Sequence, residues 1–457
     1  MTLMLGKNTK SSCLCSISFM IALAITMMVF TTATGFTNLT ALAQQKKQVT
    51  LTAMLPDNSG GNPTEDQKER LFQPAIQELR TRHPELDIKI NYVRAPYNQT
   101  RAMMLSAFAN QTPVDLISID QIWFGEFAQR GYLTDITALA QGWGRMSDWY
   151  QSNLAGGVYK GRIYAIWAWT DIRGIWYWKD LLNQAGVDPN SLKTWDGYIA
   201  SAKKLDDVLR SQGIQGAVLS GANYSPDLWY PYLWMHGGDI IKQKSGHPTK
   251  GTYWFPAYNS SAGVKAMEFI KAQVNAGIKP IKGLTDKPFV DHKVAVYITG
   301  SWLPGWFPKN QWPSLPQRVG LVPAFPVPTG INQSSTMMGG WELAIPQKSQ
   351  NKDLAWELLT IMVNPKIISP WLEQNGFLPT QKNLGSGPQS TELSQTIPYY
   401  DKMMSMIPTG HSRTSVSEYP QIADNVREAI EDVYYGIKGP KQALDDAAAK
   451  SAKALGW

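Results

Sequence analysis

Cysteine is almost missing from this chain. Of 457 residues only Cys13 and Cys15 are cysteines, and both precede the apolar stretch Ile17–Phe30 near the N-terminus. A lipoprotein signal needs its cysteine after such a stretch, so neither residue fits that role. Lys7 and Lys10 are the only charges before Lys46, and Ala41-Leu42-Ala43 follows the apolar core. That order predicts a secretory signal removed after Ala43, with an uncleaved anchor as the alternative. The chain beyond it then has no thiol, no disulfide and no cysteine-ligated metal. Histidine is scarce too: His83, His236, His247, His292 and His411 stand apart, without metal-ligand spacing. The nucleophile elbow, the phosphate-cradling glycine loop and the dinucleotide fingerprint are all absent. So is any run of Lys or Arg. The net charge of +7 is thinly spread and falls when Lys7 and Lys10 are removed, which excludes a nucleic-acid footprint. No cofactor is expected.

Tryptophan is what the chain has in excess. Its 18 residues all lie beyond the signal, clustered at Trp167/Trp169, Trp176/Trp178 and Trp302/Trp306/Trp312. Most fill a core large enough for two or more domains. Several stand beside glycine, proline and turn residues, where a flat ring suits a ligand with an apolar face and a hydroxyl rim.

Strand patterns at Val49–Leu55, Leu86–Val93 and Val114–Ile119 alternate with helical ones at Glu65–Arg82, Tyr97–Ala109 and Ile122–Gln129. The alternation predicts an α/β fold with a largely parallel sheet. Ligands bind such sheets at loops after the carboxyl ends of strands, here Asp57–Asn62, Ala95–Tyr97 and Asp120–Trp123. The aromatic run Arg162–Trp178 exceeds one ordinary strand and predicts two, with a bend near Ala168–Arg173. Further helices are expected near Trp195–Gln212, Ser261–Ala276, Asp353–Met362, Ile422–Tyr435 and Lys441–Leu455. A strand is expected at Trp341–Pro346.

Five blocks then occur in one order. They are Thr112-Pro-Val-Asp-Leu-Ile-Ser-Ile-Asp120 with Trp123 and Glu126–Asp135; Val158–Ile166 through Trp176–Leu182, with Thr194-Trp-Asp-Gly197; Lys293-Val-Ala-Val-Tyr-Ile-Thr-Gly-Ser-Trp302; Phe325-Pro-Val-Pro328 with Gly339-Gly-Trp-Glu-Leu-Ala-Ile-Pro346 and Asn351–Leu359; and Tyr419-Pro-Gln with Ala443–Ala449. Together they resemble the family 1 extracellular solute-binding proteins, sugar-binding subunits of ABC importers related to maltose-binding protein. The resemblance implies two interleaved α/β lobes joined by extended hinge crossovers, in the type II periplasmic-binding-protein arrangement. It places residues 44–168 plus 347–392 in one lobe and 172–336 plus 397–457 in the other. It also implies a carbohydrate ligand, ABC permease subunits as partners, and a monomer. One departure stands out: relatives usually carry proline where this chain has Trp167, which leaves the directions of Trp167 and Trp169 open.

For the ligand site, Asp57 and Asn58 follow the first strand, as contact residues or as plain turn formers. Asp120 ends a strand, where it either meets the ligand or caps the next helix. Asp171 lies in the first crossover, with a pair to Arg173 as its other reading. Arg413 sits in a polar loop. Trp302, after Thr299-Gly-Ser, leads the stacking candidates, followed by Trp341 and Trp229, with Trp123 and Trp169 equally readable as core. Two other functions stay open: a secreted hydrolase using a carboxylate pair such as Asp171 and Glu342, and a binder of a non-sugar solute.

Overall fold

The computed structural model describes residues 46–56, 67–219, 225–280 and 286–457. Asp57, Asn58 and the N-terminal signal lie outside the described residues. Eleven strands build one sheet: β1 (Lys47–Pro56), β2 (Leu86–Ala95), β3 (Leu116–Asp120), β4 (Ala165–Trp178), β5 (Gln215–Leu219), β6 (Lys279–Pro280), β7 (Val294–Gly300), β8 (Val319–Val322), β9 (Thr336–Ala344), β10 (Leu378–Pro379) and β11 (Gly410–His411). The order across the sheet is β6-β5-β7-β4-β9-β3-β1-β2, with β8 and β10 also on β4 and β11 on β9.

Apolar strands with few charges are buried on both faces, as in helix-covered sheets. β3, β7, β8 and β9 are buried along nearly their whole length. The covering helices used below are α1 (Tyr97–Ala109), α2 (Gln121–Gln129), α3 (Gln151–Gly156), α4 (Ser225–Met235), α5 (Ser261–Asn275), α6 (Tyr419–Tyr434) and α7 (Pro440–Ala454). α1 spans the residues its pattern predicts, and α5 is closed at its start by Ser260, whose hydroxyl accepts from Gly263 N–H. Among the described residues no helix is long and apolar enough to cross a membrane.

Two expectations need correction. The sheet is mixed. β1 runs parallel to β2 and β3, and β5 parallel to β6 and β7, but every ladder of β4 is antiparallel, as is β9 with β3. β4 and β9 carry the chain between the two halves of the sheet, and each runs against the β-α-β strand it pairs with, β4 against β7 and β9 against β3. β4 is also one strand of 14 residues, not two. Its first part, up to Ile172, pairs with β9, and from Arg173 onward it pairs with β7. The change of partner falls inside the predicted bend, but the strand passes through it unbroken. The fold is thus two α/β halves joined by extended crossovers.

β4 also settles the direction of its tryptophans. Opposite Trp341 stands Trp169, while opposite Glu342 stands Trp167, so Ala168 is an extra residue on the β4 side, a β-bulge. The extra residue turns Trp167 to the opposite face from Trp169. The Trp167 carbonyl at this bulge is used: the Trp149 indole N–H and the Thr380 O–H both donate to it at 2.8 Å. Gly340 and Gly156 leave room for the Trp167 ring, which would overlap a side chain at either position.

Candidate functional site

One face of β3, β9 and β4 collects the aromatic residues. Trp341 lies opposite both Asp120 and Trp169. The Trp123 and Trp341 rings meet edge-on with centroids 6.0 Å apart, Tyr97 packs 5.6 Å from Trp123, and Trp169 stacks 6.3 Å from Trp341. Trp123 and Trp341 keep a few per cent of their surface exposed, whereas Trp169 keeps none. Trp229 on α4 is likewise fully buried beside Tyr230. Trp302 comes from the other half, just after β7, and is only partly buried. Its indole N–H donates to Asp286 at 2.7 Å, and the Arg173 guanidinium lies 5.1 Å over its ring.

Between these aromatic groups runs a chain of opposite charges. Asp171 pairs with Arg173, Arg173 Nη2 stands 3.5 Å from Asp227, Asp227 accepts from Arg413 Nε at 3.0 Å and from Nη2, and Arg413 Nη1 lies 4.0 Å from Asp120. Asp171, Arg173, Asp227 and Arg413 are all buried. Asp120 does two jobs at once: Oδ1 accepts from Ile122 N–H and caps α2, while Oδ2 accepts from the Tyr97 hydroxyl at 2.8 Å. Burial raises its pKa, and Arg413 and Tyr97 offset part of that rise. Burial also raises the pKa of Asp286, against its bonds from Thr299 and Trp302. For Arg413, burial opposes the charge, but Asp227, Tyr419 and Asp120 together outweigh it and hold the guanidinium protonated. Four aspartates against two arginines leave this region short of positive charge.

The structure therefore gathers Asp120, Trp123, Trp169, Asp171, Trp302, Trp341 and Arg413 along one connected network. Trp229 lies on α4 with Asp227 but inside the core. Asp227 and Asp286 belong to the network and carry no signal in the sequence, whereas Tyr97 and Gln121, also part of it, fall in two of the loops expected after strand ends. Asp227 reads there as an acidic residue in the first turn of a helix, which is what helix dipoles favour anyway.

Glu342 stands elsewhere. It alternates with Trp341 along β9 and shares the Trp167 and Gly156 face, whereas Asp171 lies against Gly339 on the Trp341 face. Both of its carboxylate oxygens are buried without a hydrogen-bond partner. Burial pushes its pKa well up, and the nearby Asp120 charge adds to the rise. A separate cavity of about 290 Å³, lined by Tyr177, Gly320 and Tyr399, opens roughly 20 Å along β4 from Asp171.

Residues 64–367 match the family described as bacterial extracellular solute-binding proteins. The chain belongs to this family. A binding protein of Brucella abortus (strain 2308) is 24% identical over 385 residues, covering 80% of this chain and 85% of the relative. The arabinooligosaccharide-binding protein of Bacillus subtilis is 22% identical over 407 residues, covering 83% and 88%. Among solved structures, an ABC transporter solute-binding protein of Thermotoga lettingae bound to α-D-tagatose superposes with a TM-score of 0.74 at 22% identity, over 89% of this chain and 100% of that one. Family members are solute-binding proteins rather than enzymes, and they act outside the cytoplasm.

Proposed function

We propose that this protein captures a neutral mono- or oligosaccharide between its two halves and delivers it to an ABC permease. The observation that carries the reading is the meeting of ring platforms and buried carboxylates where β4 changes partners. Sugar C–H faces suit the indoles, and sugar hydroxyls donate well to carboxylates held by Tyr97, Arg413 and Arg173. In this reading Trp302 approaches from one half and Trp341 with Trp123 from the other. The excess of carboxylates over guanidiniums disfavours phosphorylated or carboxylated solutes. Asp57 and Asn58 follow β1 and belong to the same proposed site. The protein works as an exported monomer, with its signal removed after Ala43 and its lobes divided at 168/172, 336/347 and 392/397.

The geometry gives no support to Asp171 and Glu342 as the carboxylate pair of a hydrolase. Asp171 and Glu342 sit on opposite faces of the β4–β9 ladder, so they cannot flank one glycosidic bond as a carboxylate pair must.

Thermal denaturation against a panel of arabinotriose, maltose, D-tagatose and glycerol 3-phosphate tests the proposal. A binder at 100 times its Kd adds about 2.7 kcal/mol to apparent stability. A shift with a neutral sugar and none with the phosphate is expected. A shift with glycerol 3-phosphate alone overturns the carbohydrate assignment.

A further inference from the structure

α2 begins at the candidate site and presses against the segment that carries Arg413. Gln121, in its first turn, is 2% exposed, and both ends of its amide are used. Nε2 donates to Arg413 O at 3.2 Å and lies 3.2 Å from Ser415 Oγ, while Oε1 accepts from Arg413 Nη1 at 3.4 Å. One turn on, at the same-facing i+4 position, stands Gly125. A methyl group there would lie 2.7 Å from the backbone N, C and O atoms of Val416. Backbone cannot swing aside as a side-chain tip can, so only glycine lets α2 sit this close.

The two surfaces belong to different halves of the sheet. α2 follows β3 on the β1 side. The Arg413–Val416 segment leads into α6, which packs on α4, α5 and α7 and, across the seam, on α2 itself. In a molecule whose halves move apart, contacts across this seam would form only on closure and would then fix the Arg413 side chain.

We infer that Gln121 and Gly125 form a closure seam: Gln121 is a positioning residue for Arg413, and the protein's affinity depends on this contact between its own halves as well as on the ligand. The inference rests on the reading of a carbohydrate binder that closes over its ligand. Apparent affinity scales with the fraction of molecules able to adopt the binding-competent state. Gly125→Ala adds a methyl outside the Asp120–Asp171 network and wedges the seam. Gln121→Leu keeps bulk but removes the clamp on Arg413, so each variant breaks the seam by a different route.

The test combines titration calorimetry and small-angle scattering of wild type, G125A and Q121L, using arabinotriose, maltose and D-tagatose as probes. For a sugar that wild type binds with a fall in radius of gyration, both variants should bind about tenfold or more weakly. They should also keep a larger radius than sugar-saturated wild type at the same sugar concentration. A seam that serves only as core packing would instead lower the denaturation midpoint and leave affinity and radius unchanged. That result, or wild-type affinity in Q121L and G125A alike, overturns the inference while the carbohydrate reading stands. Failure of wild type to bind any of the three sugars overturns the carbohydrate reading, and the seam proposal falls with it.

Discussion

Asp227 offers the sharpest test of how the site holds together. Its carboxylate accepts from Arg413 and stands 3.5 Å from Arg173 Nη2, and both guanidiniums keep 5% or less of their side-chain surface exposed. Asp227→Asn preserves shape and one acceptor oxygen but removes the charge. Two buried cations are then left with Asp171 and the more distant Asp120. Breaking a buried pair by removing one partner costs about 3–5 kcal/mol, because the uncompensated charge stays desolvated. The natural control is Asp148→Asn, which breaks a 3.0 Å pair with Arg145 at side-chain exposures of 36% and 37%. Exposed pairs of that kind are worth about 0–1 kcal/mol. Urea denaturation of both variants at neutral pH should separate them by at least about 2 kcal/mol, at unchanged m. Adding Arg413→Met to Asp227→Asn should recover part of the loss, since the stranded charge leaves with the side chain and neighbouring sites are not additive. Equal, small effects at positions 148 and 227 would refute the reasoning and mean that water reaches the arginines.

Other outcomes follow from the same geometry. Glu342 has its folded-state pKa raised above the unfolded value of 4.5, so its contribution is fully present below that pH and is lost as pH rises toward the folded value. Within that window the loss approaches about 1.4 kcal/mol per pH unit. Glu342→Gln should match wild type near pH 4 and exceed it in urea midpoint at pH 7, and a pH-independent difference between the two would refute this. Trp302→Ala should weaken sugar binding about thirtyfold, or about 2 kcal/mol, while a core tryptophan would cost about 3–5 kcal/mol of stability instead. Calorimetry and denaturation of that one variant tell the two roles apart. Intact-mass measurement of the exported protein should show a chain beginning at Gln44.

The elements that make their own case locally were legible in the sequence. α1 is bounded by Pro96 and the turn at Asn110, and β1 and β2 show their period. The five blocks carried the fold, because their order reports the crossovers. β4 misled for a physical reason: strand length is a poor guide when a strand changes neighbours midway, and that change depends on β7 and β9, far off in sequence. The network around Arg413 was half legible. Arg413 itself looked like a solvated loop charge, because its partners Asp227 and Gln121 are 186 and 292 residues away. Nothing near residue 413 announces that it is buried. The direction of Trp167 was open for a related reason: it is set by one unpaired residue, Ala168, and pairing is invisible without the partner strand.

That bulge makes β4 tolerant of a change in length at one point and there alone. Ala168 is a plain residue, and most small side chains would serve in its place. Deleting it would make Trp167 and Trp169 neighbours, which a regular strand already points to opposite faces, so each ring would keep its side and its partner on β9. Deleting Thr170 instead would make neighbours of Trp169 and Asp171 and turn one of them away from the face they share. A one-residue shortening away from the bulge should thus do more harm than one at Ala168. Length changes among homologous chains would be expected at the bulge or beyond the ends of the strand.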